Sequence, residues 1–253
     1  MTRTLALEIA VQDAAGVRIA AEVGAARVEL ASALALGGLT PSPATLELAL
    51  EAAAESGGEN AGPEVHVLIR PRAGGFHYTA DEIAVSERDV RLAVAAGAAG
   101  VVIGALDDQG RLDIDAMTRL RDAAGGASVT LHRAIDVTAD PVATLRTARE
   151  LGLRRVLTSG GASVAADGID TLRALVAAAE GEIEIMAGSG VDAASAPVLA
   201  AAGVDAIHFS AKRAVSETGG VRMGSASDGV GGYEITDRDI ALAICAALGR
   251  LSP

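Results

Sequence analysis

The sequence has one cysteine, no tryptophan, two phenylalanines and two tyrosines among 253 residues. A lone thiol, Cys245, excludes a disulfide scaffold and any cysteine-rich zinc or iron–sulfur site. Basic residues are outnumbered 21 to 33 by acidic ones, and a net charge of −12 excludes a chain built to neutralise a phosphate backbone. No nucleic-acid partner is expected. No run approaches the roughly 20 apolar residues that cross a bilayer, so no membrane partner is expected either. The opening Met1-Thr-Arg-Thr-Leu-Ala-Leu-Glu8 holds too short an apolar run for a signal peptide, which makes the cytoplasm the expected location. What the chain does have is apolar content, 50% of residues, enough to exclude disorder.

A junction recurs along the chain. Gly24-Ala-Ala-Arg-Val-Glu-Leu30, Gly97-Ala-Ala-Gly-Val-Val-Ile103, Gly152-Leu-Arg-Arg-Val-Leu157 and Gly203-Val-Asp-Ala-Ile-His208 share one design. Each ends a helix at a glycine able to turn left-handed, then enters a short strand rich in β-branched residues. Filling the intervals gives strands near 5–10, 26–31, 64–70, 100–104, 127–132, 154–159, 183–187 and 204–209. Helix starts lie between them: Ser42-Pro43, Asp140-Pro141, the capping box Thr79-Ala-Asp-Glu82, and caps at Asp113 and Thr236. Strand–helix alternation at this length predicts an α/β protein, a parallel eight-stranded (β/α)₈ TIM-like barrel, over 1–253 as one domain. An open doubly wound sheet is the alternative, but no Gly-x-Gly-x-x-Gly follows the first strand. The stretch 213–235, with glycines at 219, 220, 224, 229, 231 and 232, is expected to be an irregular loop after the last strand and a candidate lid.

Side chains alternate along a barrel strand between the interior and the surrounding helices. One phase here is apolar: Leu7 and Ile9, Val28 and Leu30, Val65, Val67 and Ile69. The other carries Glu8, Glu29, His66 with Arg70, Thr130 with His132, and His208 with Ser210. Buried carboxylates need cations or donors, which Arg70, Arg72, Arg133 and the histidines can supply. Such a cluster at the strand ends is a candidate site, and a satisfied polar plug that fixes barrel register is the structural alternative. Glu8 or Glu29 is the candidate general base, His132 the candidate general acid, and Asp136 a group placed to orient His132 or Arg133.

Anion recognition has its own candidates. Ile69-Arg-Pro-Arg72 ends the third strand with two arginines held by a proline, which suits a carboxylate or phosphate. Thr158-Ser-Gly-Gly161, Ala187-Gly-Ser-Gly190 and Ser210-Ala-Lys212 follow strands six, seven and eight. They offer Ser159, Gly160, Gly188, Gly190, Ser210 and Lys212 to an anion, or serve only as tight turns. His66, His132 and His208, with Glu8 and Glu29, are candidate ligands for a divalent zinc, manganese or copper ion, without the local spacing of a metal motif. The expected partner is a small anionic ligand or a metal ion.

Seven segments then stand together: Leu7-Glu-Ile9, Arg27-Val-Glu-Leu30, Gly37-Gly-Leu-Thr-Pro-Ser42, Ile69-Arg-Pro-Arg72, Thr130-Leu-His-Arg-Ala-Ile-Asp136, Leu157-Thr-Ser-Gly-Gly161 and Ile185-Met-Ala-Gly188. In this order the chain resembles the CutC proteins from residue 5 to about 212. The resemblance implies a TIM-like barrel, a cytoplasmic homodimer or higher homo-oligomer, and an association with copper homeostasis and copper binding. CutC relatives often carry cysteines just after the Glu-Ile and Glu-Leu pairs, suggested as copper ligands; this chain has Ala10 and Ala31 there. Two functions are carried forward: copper handling, and an enzyme acting on a small phosphorylated or carboxylated metabolite.

Overall fold

A computed structural model describes residues 5–57, 61–216 and 232–250. Strands β1 (Ala6–Val11), β2 (Arg27–Leu30), β3 (Glu64–Leu68), β4 (Gly100–Ile103), β5 (Ser128–Leu131), β6 (Arg155–Thr158), β7 (Glu184–Gly188) and β8 (Ala206–Phe209) pair in parallel in that order. β8 returns to β1, closing the barrel. Helices α1 (Ala14–Glu22), α2 (Pro43–Ser56), α3 (Ala80–Ala96), α4 (Ile114–Ala124), α5 (Pro141–Glu150), α6 (Ile169–Ala179) and α7 (Ala196–Ala201) fill the crossovers, and α8 (Arg238–Ala247) follows the last strand. The expected α/β barrel is what forms. None of the described helices is long and apolar enough to cross a membrane.

Local chemistry sets these boundaries. Gly24, Gly97, Gly152 and Gly203 all take a left-handed backbone, φ between +71° and +108°, as the recurring junction requires. Asp13, Ser42, Thr79, Asp113 and Asp140 accept main-chain N–H bonds at the starts of α1 to α5, and Thr79 and Glu82 bond reciprocally. Two expectations are corrected. The cap of α8 is Asp237, whose carboxylate accepts from the N–H groups of Asp239 and Ile240; Thr236 instead ends a strand. Nor is 213–235 irregular throughout. Its flanks form β9 (Lys212–Ser216) and β10 (Gly232–Thr236), an antiparallel pair in which Lys212 faces Thr236. Glycines 219, 220, 224, 229 and 231 lie outside the described residues.

Pleating separates two environments. Leu7, Ile9, Val28, Leu30, Val65 and Val67 pack outward in one large apolar core between strands and helices. The other phase points into the barrel, where only two small apolar clusters occur among the described residues: Ala31, Leu68 and Val102, and Leu157, Met186 and Ala206. Much of the rest of the interior is polar, with Glu8, Arg27, Glu29, His66, Thr130 and Arg155 all buried.

Its floor is an ion network built from the first residues of the strands. Arg27 Nε donates to Glu8 at 3.0 Å, and Arg155 Nε to Glu184 at 2.6 Å. Arg27 Nη2 lies 4.0 Å from the same Glu184, and Arg155 Nη1 donates to the Thr130 hydroxyl at 3.1 Å. Removing one partner from a buried pair of this kind costs about 3–5 kcal/mol, because the other charge stays behind unpaired. This level is a polar plug, and it supports what stands above it.

Candidate active site

Above the floor, at the C-terminal ends of the strands, a cavity of about 550 Å³ opens. Glu29, Arg70, His132, Arg133, Gly190, His208, Ser210 and Lys212 line it, together with apolar Leu34, Leu68, Phe76 and Leu157. A mostly apolar cavity with a few convergent charged groups has the form of a small-molecule site.

Glu29, on β2, is the cavity's carboxyl group. His208 Nε2 stands 3.4 Å from it, His208 Nδ1 bonds Glu8 at 2.9 Å, and Glu8 accepts from Arg27. The two glutamates joined through His208 behave oppositely. Burial pushes Glu8 up, but the His208 hydrogen bond and the charges of His208, Arg27 and His66 overcome it and hold Glu8 well below the usual carboxylate range. Glu29 has no such set of partners. Burial dominates, His208 offsets it in part, the Glu8 charge adds to it, and Glu29 is pushed up to about 7. For His208, burial acts downward, yet the Glu8 bond and the two carboxylate charges give a net rise. Glu8 is therefore a fixed anion, and Glu29 is the carboxyl able to gain and lose a proton near neutrality.

His132 closes β5, three strands around the ring from Glu29. Its Nδ1 accepts the Ala134 N–H at 3.1 Å, so the neutral ring carries its hydrogen on Nε2. That Nε2 is buried and has no hydrogen-bond partner among the described residues. Burial first, then the Arg70 charge, pushes His132 down to about 3, which keeps it neutral. The ring packs against Phe76, centroids 4.6 Å apart, and close to Gly104. A Cβ on Gly104 would lie 2.6 Å from His132 Nδ1, so only glycine admits this ring position.

Arg70 donates to the carbonyls of Leu36, Gly38 and Gly74 at 2.8–3.0 Å and lies over the Phe76 ring. Among the described residues no carboxylate pairs with it, although it is 7% exposed. Arg133 does have an acid partner, Asp136 at 2.8 Å, and also donates to Ser159 and Ser189. Lys212 pairs with Glu234 at 2.8 Å. Ser189 and Ala211, both lining the cavity, hold positive φ of +93° and +44° without being glycine, strain of the kind that collects at functional sites.

The remaining candidates sit elsewhere. Arg72 turns outward to Glu82 and the His77 carbonyl. Asp136 lies behind the cavity wall and accepts from the N–H groups of Ser159 and Gly161, the Thr158 and Ser159 hydroxyls, and Arg133. The Ser159 donors are thus engaged by the protein's own carboxylate, and Gly160 N–H bonds Thr158. Gly188 is packed against Leu157 and His208. His66 sits at floor level, its Nε2 3.3 Å from Glu64, with Gly100 leaving room for its ring. Three features of the site had no role assigned from the sequence: Phe76, Ser189 and the ring space at Gly104. None of the three stands out in the sequence: Gly104 comes just past a strand, where a turn glycine is unremarkable.

Among the described residues the histidines and carboxylates do not fit a copper site. Both His208 nitrogens face carboxylates, His132 Nδ1 is occupied by a main-chain N–H, and His66 belongs to the floor. Cys245 lies in the outer core against the Val23 carbonyl, and Met186 Sδ is 3.9 Å from Arg27 Nη2. A copper(I) ion wants thiolate or thioether donors, and neither of these two described sulfurs lines the cavity, while Met223 lies outside the described residues.

Comparison with known proteins places the chain. A CutC protein of Sinorhizobium medicae is 47% identical over 199 residues, 79% of this chain and 77% of that protein. One from Xanthomonas campestris pv. campestris strain 8004 is 43% identical over 234 residues, 92% of this chain and 94% of its own. The structure of the Streptococcus agalactiae CutC, provisionally assigned to copper homeostasis, superposes with a TM-score of 0.76 at 30% identity, covering 81% of this chain and 98% of its own. Thiamine phosphate pyrophosphorylase from Pyrococcus furiosus, at 15% identity and a TM-score of 0.60 over 99% of this chain and 98% of its own, shares the fold alone. The CutC family model matches residues 5–213, and this chain belongs to the CutC family.

Proposed function

We propose that the cavity binds a small anionic metabolite and that Glu29 and His132 carry out acid–base chemistry on it. The observation that carries this is Arg70, a buried guanidinium dressed by three carbonyls with no described carboxylate to neutralise it, in a cavity lined also by Glu29 and by His132, whose buried Nε2 has no described partner. An uncompensated buried cation is favourable once an anion arrives. Glu29 serves as the group that takes and returns a proton, and His132 as a fixed neutral donor to a ligand oxygen. Arg133, held by Asp136, gives a second cation at the wall. A cytoplasmic location and homo-oligomeric assembly belong to this proposal through the family resemblance. Copper handling has that resemblance and the S. agalactiae relative behind it. The donor set weighs against it, and no step is assigned to the metal.

A thermal-shift panel of phosphorylated and carboxylated metabolites tests the proposal. At least one is expected to raise the melting temperature of the wild type and to lose that effect in Arg70→Met, which keeps the aliphatic stem. If no anion distinguishes the two proteins, the cavity is not an anion site.

A further inference from the structure

Resting on that acid–base reading, we propose that the proton moved is on a carbon beside a carbonyl: the site enolises a small anionic α-hydroxy aldehyde, ketone or keto acid. The form of His132 points there. With Nδ1 occupied by the Ala134 N–H, the ring has no free lone pair and cannot act as a base; it can only present Nε2–H to an oxygen. Such a donor matters most to an oxygen whose negative charge grows during reaction, as a carbonyl oxygen does when an enolate forms. Covalent alternatives have less support. Lys212 is tied to Glu234, the Ser189 hydroxyl donates to the Ser163 carbonyl, Cys245 is remote, and the Ser210 hydroxyl at the cavity wall has no described base hydrogen-bonded to it to activate it.

The step balances without a co-reactant. The Glu29 carboxylate takes the proton from carbon, and the C–H electron pair becomes the carbon–carbon π bond. The carbonyl π pair moves onto oxygen, where His132 Nε2–H and the Arg70 charge meet it. Return of the proton from Glu29 to the same carbon gives exchange or epimerisation; with an α-hydroxyl present, passage of the hydroxyl proton to the former carbonyl oxygen and return of the Glu29 proton to the former carbonyl carbon give isomerisation. Behind Glu29, the His208–Glu8 pair holds the carboxyl in place.

Enediolate mimics test this directly. Calorimetric titration at neutral pH would compare two matched pairs: phosphoglycolohydroxamate with phosphoglycolate, and glycolohydroxamate with glycolate. In at least one pair the hydroxamate is expected to bind about tenfold or more tighter than its parent acid, as a mimic of the charged intermediate should. That advantage should disappear in His132→Leu, and also in Gly104→Ala, which leaves the imidazole in the chain but displaces it. A hydroxamate with no advantage over its parent in either pair overturns the enolisation. Parent acids that still bind, and lose binding in Arg70→Met, would leave the anion site standing.

Discussion

Replacing Glu29 by glutamine is expected to make the protein more stable above pH 7 while ending proton transfer. Burial raises Glu29 from an ordinary 4.5 to about 7, with His208 opposing and Glu8 adding. In the unfolded chain the same group ionises around its ordinary value. Between these two values the unfolded state releases a proton that the folded state retains. The unfolded state therefore gains relative to the folded one as pH rises through the window, and the loss is complete above about 7. A shift of this size corresponds to about 3 kcal/mol. Glutamine has no such term. Denaturant unfolding at pH 4, 6 and 8 should show the variant's stability relative to wild type rising by about 3 kcal/mol across the series. Glu8 acts in the opposite sense: its depressed value stabilises the fold above the ordinary carboxylate range and is lost on acidification, in both proteins alike. A relative stability that stays flat with pH would mean Glu29 ionises as an ordinary surface acid does. Stability gained at the expense of activity is a usual signature of a functional group held in an unfavourable environment.

The second large effect is expected at a residue that touches no ligand. Gly104→Ala places a methyl group 2.6 Å from His132 Nδ1, in a ring that also packs against Phe76 and is 4% exposed. The ring must turn, and the Ala134 N–H bond that fixes its tautomer breaks. Overpacking of this kind costs about 1–3 kcal/mol. The larger consequence is loss of the oriented Nε2–H, read as a tenfold or greater fall in affinity for an oxyanion mimic. Gly100→Ala is the matched control. Its Cβ would lie 2.6 Å from His66 Nδ1 and 2.7 Å from the Ser128 carbonyl oxygen, on the floor beneath the cavity. It should cost stability and leave ligand affinity unchanged. If both variants bind as the wild type does, His132 has no part in recognition.

How much of this was legible in the sequence depended on distance along the chain. The barrel was legible because the junction glycines and capping residues act within a few positions of one another, and all four junction glycines take the left-handed backbone expected of them. Glu8, Glu29 and His208 could be placed inside because their neighbours on each side are apolar. The ion floor was not legible. Arg155 follows Arg154 at a helix–strand junction, and only the pleat, which leaves Arg155 3% exposed and turns Arg154 to solvent, tells them apart. Arg27 and Glu184 are hidden in the same way, as charges at strand starts. The engagement of the Thr158–Gly161 loop by Asp136 was also invisible, since it joins segments more than 20 residues apart across the barrel wall. Opposite shifts of Glu8 and Glu29 lay furthest out of reach. Both are glutamates on inward strand positions, and only their partners separate them: His208 and Arg27 on Glu8, His208 and a repelling carboxylate on Glu29.

One proton-accepting carboxyl, Glu29, and one neutral imidazole, His132, line the same cavity. Carbon-13 and nitrogen-15 NMR of the Glu29 carboxyl and the His132 ring, followed from pH 8 to pH 5, measures both in the intact protein. Glu29 should titrate near 7 while His132 stays neutral throughout, its hydrogen on Nε2 and Nδ1 accepting. Glu29 titrating at its ordinary 4.5, or His132 taking up a proton near its ordinary 6.5, would contradict it.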